Sequence, residues 1–256
     1  MDYENSQFKG RPANVIRPDG ASGVVLVCEH ACNFIPPGFR GLGLTPEAQV
    51  SHAAWDPGAF ALAQRLSDRL DAPLVSSGIS RLVYDCNRPP ESPSAMPEKS
   101  EIFDIPGNRH MSAEDRLSRV VSYYDPFRRA LAETIRDAGA RALVTLHSFT
   151  PIYFGKPREV EIGILHDSDT RLADAMLEGA GRHTTLKVRR NAPYGPQDGV
   201  THTLREHGLA NGLPNVMIEV RNDLIADGAA QDAMAEMFAG WIGAAMDQIP
   251  AEKARA

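Results

Sequence analysis

The sequence predicts an α/β fold, a three-layer αβα arrangement around a mostly parallel mixed central sheet. Two observations carry this prediction. Short apolar runs rich in β-branched residues alternate with stretches of helical spacing almost to the end of the chain. The runs are continuously apolar, as strands covered on both faces are, where a half-exposed strand would alternate apolar with polar. A length of 256 residues suffices for one such domain. A single domain over 1–256 is therefore expected, with 1–20 and 250–256 as peripheral tails.

In chain order, Gly23-Val24-Val25-Leu26-Val27-Cys28 reads as a buried strand. The stretch 57–70 has helical spacing (Ala59, Leu62, Ala63, Leu66, Leu70), with Asp56 and Pro57 suited to N-cap and first turn. Strands are expected at 73–77 and 82–85, followed by a Pro-, Glu- and Ser-rich surface loop or lid over 89–108. Ser112 opens a long helix to about 138, with Asp115 completing a partial capping box. Further strands fall at 142–146, 160–165, 186–189 and 216–220, separated by helical windows at 168–180 and 201–208. An amphipathic helix over 229–249 closes the fold.

Composition excludes several functions. The net charge of -6 and pI of about 5.8 oppose non-specific binding to a nucleic-acid backbone. No window approaches the ~18 consecutive apolar residues of a membrane span, and the polar N-terminus has no apolar signal core. Cys28, Cys32 and Cys86 are too few for a disulfide framework and read as small buried hydrophobes, so a reducing, cytoplasmic setting is expected. There is no phosphate-binding Gly loop of either common type, no Gly-x-Ser-x-Gly elbow and no His-Glu-x-x-His.

Ligands of an open α/β sheet bind beyond the carboxyl ends of its strands. Those ends carry Glu29-His30, Asp85-Cys86-Asn87-Arg88, His147-Ser148 and Glu219-Val220-Arg221. Two imidazoles and one carboxylate with an open position form a catalytic zinc set. His30 and His147 are the candidate imidazoles. Asp56 is preferred as the carboxylate over Glu29, because a strand neighbour of His30 points to the opposite face. Such an ion lowers the pKa of bound water toward ~7, and Glu219, a charge inside an apolar strand, is the candidate general base. His52, His166, His202 and His207 read as structural.

These residues also carry a resemblance. Glu29-His30 with the Ile35-Pro36-Pro37 turn, the run Ser80-Arg81-Leu82-Val83-Tyr84-Asp85-Cys86-Asn87-Arg88-Pro89, Leu146-His147-Ser148 and Ile218-Glu219-Val220-Arg221 resemble the N-formylglutamate amidohydrolase family over about residues 20 to 245. The order of these groups is also similar to that of zinc carboxypeptidases and aspartoacylases. The resemblance implies a phosphorylase/hydrolase-like fold, a role in histidine catabolism, and water activated by a divalent metal, zinc first, attacking an amide. It implies His30 and His147 as metal ligands, Glu219 as general base and Arg81 as polariser of the scissile carbonyl. Asn87 and Arg88 would hold a substrate carboxylate. The carboxypeptidase-like carboxylate position, three residues after the first His, is Asn33 here, which leaves the third ligand between Asp56, Glu29 and Asn33. The segment 191–202 is expected to be a substrate loop, with Tyr194 or His202 touching the acyl group.

The expected partner is a small anionic acyl amino acid, with no nucleic acid and no membrane; a homo-oligomer is compatible with the sequence. Arg81, Arg88 and either Arg158 or Arg221 would make its pocket locally positive. Two other readings stand beside hydrolysis by a metal: acyl transfer from Cys32 or Ser148, and a silent binding module for small carboxylates.

Overall fold

The computed structural model describes residues 7–250. Its central sheet has seven strands: Asn14–Ile16 (β1), Val24–Cys28 (β2), Leu74–Ser76 (β3), Ala142–Phe149 (β6), Ile162–Leu165 (β9), Val188–Arg190 (β10) and Asn215–Arg221 (β11). Two small hairpins supply the remaining strands, Lys99–Ser100 (β4) with Phe103–Asp104 (β5), and Ile152–Tyr153 (β7) with Lys156–Pro157 (β8). In the sheet the order is β1-β3-β2-β6-β11-β9-β10. Strands β3, β2, β6 and β11 run parallel, β1 and β9 run antiparallel to their neighbours β3 and β11, and β10 runs parallel to β9. The mostly parallel mixed sheet expected from the sequence is present.

Alternation along the strands assigns the two faces. Val24, Leu26 and Cys28 of β2, with Val144 and Leu146 of β6 and Val216, Ile218 and Val220 of β11, pack beneath helices Ala59–Leu70 (α2), Arg171–His183 (α5) and Gly228–Met246 (α6). Trp241 of α6 is fully buried there, and its indole N–H donates to the Met176 carbonyl at 2.7 Å. Val25, Val27 and Leu143 face the other way, against Phe127, Leu131 and Ile135 of Asp125–Asp137 (α4). Every residue of β2 and β6 is buried, which explains the unbroken apolar run of β2 and the largely apolar start of β6.

Four expectations need correction or extension. Residues 82–85 are not a strand. Val83 N–H donates to the Ser80 carbonyl (2.9 Å), Leu82 N–H to the Ser80 hydroxyl and Asp85 N–H to the Ala95 carbonyl, so the run is a buried turn whose backbone is satisfied locally. Asp56 does not cap the following helix. Gly58 holds the N-cap at φ +80°, and the Asp56 side chain is directed elsewhere. The segment 1–20 is not wholly peripheral, because β1 pairs with β3 at the sheet edge. The helix from Ser112 contains a π turn at Val120–Tyr124 between Ala113–Arg119 (α3) and α4. The Ser112–Asp115 capping box is present at both of its hydrogen bonds, whereas residues 1–6 and 251–256 lie outside the described residues.

The 89–108 loop is anchored. The buried Arg119 guanidinium donates to the Val83 carbonyl (3.0 Å) and to Asn108 Oδ1 (2.7 Å), and Asn108 Nδ2 donates to the Leu82 and Pro97 carbonyls. No helix among the described residues is long and apolar enough to cross a membrane.

Gly58 joins Asp56 to α2, and a Cβ there would lie 2.6 Å from the Ile225 carbonyl oxygen. Gly58→Ala should therefore cost about 2 kcal/mol, from left-handed strain plus the close contact. Gly212, also at positive φ (+67°) but with open space around it, should cost about 1 kcal/mol on the same change. Urea denaturation of both variants checks the difference, and equal losses would show that the Ile225 contact is without effect.

Candidate active site

The parallel strands end on one rim, and their register decides what stands there. His147 of β6 pairs directly with Glu219 of β11. Val27 of β2 pairs with Thr145, so Glu29, two residues on, falls into the row of His147. Glu29, His147 and Glu219 thus share the α4 side of the sheet. His30 lies one residue past that row, and its carbonyl accepts the Asp56 N–H at 3.0 Å, which brings Asp56 over the strand ends.

Three donor atoms then converge. His147 Nδ1 lies 3.1 Å from His30 Nδ1 and 2.9 Å from Asp56 Oδ2, and His30 Nδ1 lies 3.2 Å from the same oxygen. All three residues are buried, and this His30–Asp56–His147 group could hold a metal ion. The separations are slightly shorter than the ~3.4 Å edge that zinc–ligand bonds of ~2.1 Å give a tetrahedral set. The Ser148 N–H also donates to Asp56 Oδ2 (3.2 Å), fixing the carboxylate over the imidazoles.

Each imidazole is backed by a further carboxylate. His30 Nε2 lies 2.7 Å from Asp85 Oδ1. His147 Nε2 lies 3.1 Å from Glu29 Oε2, an ionic contact without the alignment of a hydrogen bond. Such outer carboxylates fix which ring nitrogen faces an ion and raise its basicity. Arg81 spans the group, donating from Nη1 to Asp56 Oδ1 (3.2 Å) and from Nη2 to Asp85 Oδ2 (2.8 Å).

Burial opposes ionisation of Asp56, but His30, His147 and Arg81 outweigh it and hold the carboxyl well below its usual range. Burial is likewise outweighed at Asp85 by His30, Arg81 and Arg88, and at Glu29 by His147 and His30, so both carboxyls are lowered. Three buried carboxylates with lowered pKa share one guanidinium, so the group draws further positive charge to itself. Although burial works against a charge on His147, Glu29 and Asp56 raise its pKa well above the ordinary value. The same field that favours a proton there favours a divalent cation, so donor geometry and charge both fit a metal.

Glu219 has the opposite environment. Burial pushes its carboxyl up to about 7, with Asp56 raising it further against the imidazoles, and its Oε2 makes no hydrogen bond among the described residues. Across from Glu219 on β9 stands Gly163, where a Cβ would lie 2.1 Å from the Ala192 carbonyl oxygen. Glycine there lets the 191–202 segment lie against the sheet and bring Tyr194 to the cavity.

The cavity over this group has a volume of about 490 Å³. Its lining includes His30, Asp56, His147, Glu219, Arg81, Asn87, Arg88 and Tyr194 among the residues expected from the sequence. The Asn87 amide is held on one side: its Nδ2 donates to the Val200 carbonyl (2.6 Å) and its Oδ1 accepts the Thr203 N–H (2.9 Å), tying the 191–202 segment to the Asp85 turn. His202 is absent from the lining. The helical turn that starts there directs it to Tyr124, with Nε2 2.7 Å from the hydroxyl. Glu29 and Asn33, the other ligand candidates, are also elsewhere; Glu29 backs His147, and Asn33 Nδ2 donates to the Gln49 carbonyl. Arg221 pairs with Asp223 and Glu161, leaving Arg158 on the cavity wall.

The alternative nucleophiles are poorly placed. Ser148 Oγ donates to the Pro57 carbonyl (2.8 Å), and burial pushes the Cys32 thiol up to about 11. Sequence reasoning read His52 as structural and passed over Glu101. In the structure, His52 Nε2 lies 2.6 Å from Glu101 Oε2, and Glu101 Oε1 accepts the Phe154 N–H at 3.0 Å. This clasp joins the β4–β5 and β7–β8 hairpins at the mouth of the cavity. No short motif links positions 49 and 53 residues apart, so the sequence carried no signal of it.

Residues 22–226 match the N-formylglutamate amidohydrolase family. A gene product of Agrobacterium tumefaciens with a crystal structure is 55% identical, with a TM-score of 0.90 and coverage of 93% of this chain and 96% of that one. N-formylglutamate amidohydrolase from Ralstonia eutropha is 21% identical over 93% of this chain and 99% of its own, with a TM-score of 0.65, a likeness of fold. No curated protein matches the chain.

Two measurements check the geometry. In zinc titration calorimetry, Asp56→Asn should abolish stoichiometric binding, and Asp85→Asn should weaken it about 10- to 100-fold by releasing His30 from behind; wild-type affinity in Asp85→Asn would disprove that backing role. The raised Glu219 carboxyl also sets a pH dependence. Its contribution to stability is complete below the ordinary value of 4.5 and is lost as pH rises through about 7. Chelator-treated wild type should lose stability relative to Glu219→Gln across that window. Parallel stability curves would show an ordinary carboxyl.

Proposed function

Since the chain belongs to the N-formylglutamate amidohydrolase family, we propose that it hydrolyses the amide of an N-acyl amino acid, N-formylglutamate first, with a divalent metal. The observation that supports this reading best is the convergence of His30, Asp56 and His147 directly beside Glu219. Two histidines, one carboxylate and an open cavity side match the donor set of catalytic zinc sites, which makes zinc the proposed ion. When bound, such an ion polarises a carbonyl and lowers the pKa of water toward ~7.

The chain's own groups do the rest. Glu219, with a carboxyl pushed up to about 7, is poised to take a proton from the attacking water and return it to the departing amine. Arg81 keeps an edge on the cavity while two of its nitrogens are held by Asp56 and Asp85, and we assign that edge to the oxyanion that develops on the scissile carbonyl. Arg88 lines the same cavity beside Asp85 and receives the α-carboxylate of the substrate. Tyr194 closes the wall next to Glu219 and orders the acyl end. Glu29 and Asp85 hold the imidazoles without touching substrate. We place the reaction in the reducing cytoplasm, in keeping with Cys28, Cys32 and Cys86, all free and buried.

Purified protein, zinc-loaded or chelated, should be assayed with N-formylglutamate. Hydrolysis should vanish on chelation and return with metal. Glu219→Gln should keep stoichiometric metal while kcat falls about 10³-fold, the range of a lost general base. Full turnover in either the chelated protein or Glu219→Gln would overturn the mechanism.

A further inference from the structure

Three arginines line the cavity, and they are held in different ways. Arg81 is neutralised by Asp56 and Asp85. Arg88 donates from Nε to the Ser94 hydroxyl (3.2 Å) and from Nη1 to the Asn87 carbonyl (2.9 Å). Arg158, on the segment that follows β8, has no carboxylate within ion-pair distance among the described residues, and its Nη1 reaches the Thr150 carbonyl only at 3.4 Å. Its guanidinium instead sits among aromatic rings, 4.3 Å from the centroid of Tyr153, 4.8 Å from Tyr194 and 5.4 Å from Phe149.

That cage has a chemical consequence. Rings on the guanidinium fix its plane and keep water from its faces, and among the described residues its N–H groups meet only neutral partners, the Thr150 carbonyl and the Tyr194 hydroxyl. A planar, oriented fork without an anion, on the wall of a cavity in a protein of net charge -6, is preorganised for a carboxylate. Position along the substrate separates it from Arg88. The Arg88 backbone N–H donates to the Asp85 carbonyl (3.0 Å) and Asp85 Oδ1 lies 2.7 Å from His30 Nε2, so Arg88 stands beside the metal-binding group. Arg158 instead meets Thr150, Phe149, Tyr153 and Tyr194, on the side of the cavity formed by the β7–β8 hairpin and the 191–202 segment. In an N-acyl amino acid the α-carboxylate is closer to the scissile amide than a side-chain carboxylate is.

We propose that Arg158, caged by Phe149, Tyr153 and Tyr194, binds the side-chain carboxylate of the N-acyl amino acid and so selects acidic over neutral substrates. This rests on the amidohydrolase reading above and assigns its specificity to one guanidinium just past the β7–β8 hairpin.

The test compares N-formylglutamate with N-formylglutamine, its neutral isostere, in wild type, Arg158→Met and Arg158→Lys. Arg158→Met should lower the glutamate-to-glutamine ratio of kcat/KM by tenfold to a hundredfold, on the order of a lost charge-assisted hydrogen bond, with the change in KM. Arg158→Lys should retain part of the preference, since it keeps the charge and loses the fork. A parallel fall on both substrates, or an unchanged ratio, overturns the proposal. Calorimetry of N-formylglutamate binding to Glu219→Gln, with and without Arg158→Met, should show the same weakening, and equal affinities overturn the proposal as well. If wild type hydrolyses neither substrate, the amidohydrolase reading fails, and the binding comparison still decides the role of Arg158.

Discussion

The site depends on one electrostatic constraint: Asp56, Asp85 and Glu29 are ionised inside the protein, with a single guanidinium, Arg81, shared between the first two. Burying a charge without compensation is costly. The imidazoles of His30 and His147 sit where they lower that cost, each between two carboxylates. A divalent ion at the three converging donor atoms would satisfy the remaining field. The same field explains the asymmetry of Glu219, whose neighbours include the ionised Asp56, so that a second full negative charge close by is disfavoured. One cluster thereby holds carboxylates in two protonation regimes, low for those that shape the site and near neutral for the one facing the cavity.

The sheet makes this cluster possible. Parallel strands β2, β6 and β11 place their carboxyl ends side by side, and register puts Glu219 against His147 with no intervening loop. Side chains on such strands are held by packing on both faces, here by α2, α5 and α6 below and α4 above. The rest of the cavity wall comes from less regular parts. The 191–202 segment is fixed by Asn87 and by the missing side chain at Gly163, and the two hairpins are joined through Glu101.

Much of this was legible in the sequence. His30, His147 and Glu219 were readable because each terminates or interrupts an apolar run, and the runs predict where strands end. Asp56 was legible as a carboxylate near His30, yet its helix-capping reading failed, because a single side chain cannot cap α2 and hold two imidazoles. The 82–85 run misled because burial alone gives the same apolar signature to a turn as to a strand. Asn87 and His202 show a further limit. Residue type suggested ligand contacts; hydrogen bonds to positions 113 and 78 residues distant hold both side chains, leaving Asn87 on the cavity wall and His202 off it. Pairings at that range leave no local period or spacing in a single sequence.

The clasp of His52, Glu101 and Phe154 shows how the two levels are coupled. Glu101 accepts from an imidazole on one segment and a backbone N–H on another, and both contacts lie at the cavity mouth. The Phe154 N–H belongs to the tip of the hairpin that carries Tyr153 and leads to Arg158, so this wall of the cavity is anchored to the β4–β5 hairpin. Two-residue strands have too few ladder hydrogen bonds to be stable alone. Their position therefore rests on side-chain contacts such as this one, and the wall can be altered without touching the strands that carry His147 and Glu219. A rigid parallel centre and clasped hairpins are thus separate parts of the scaffold, and surface hairpins of this kind tolerate change better than the strands beneath them.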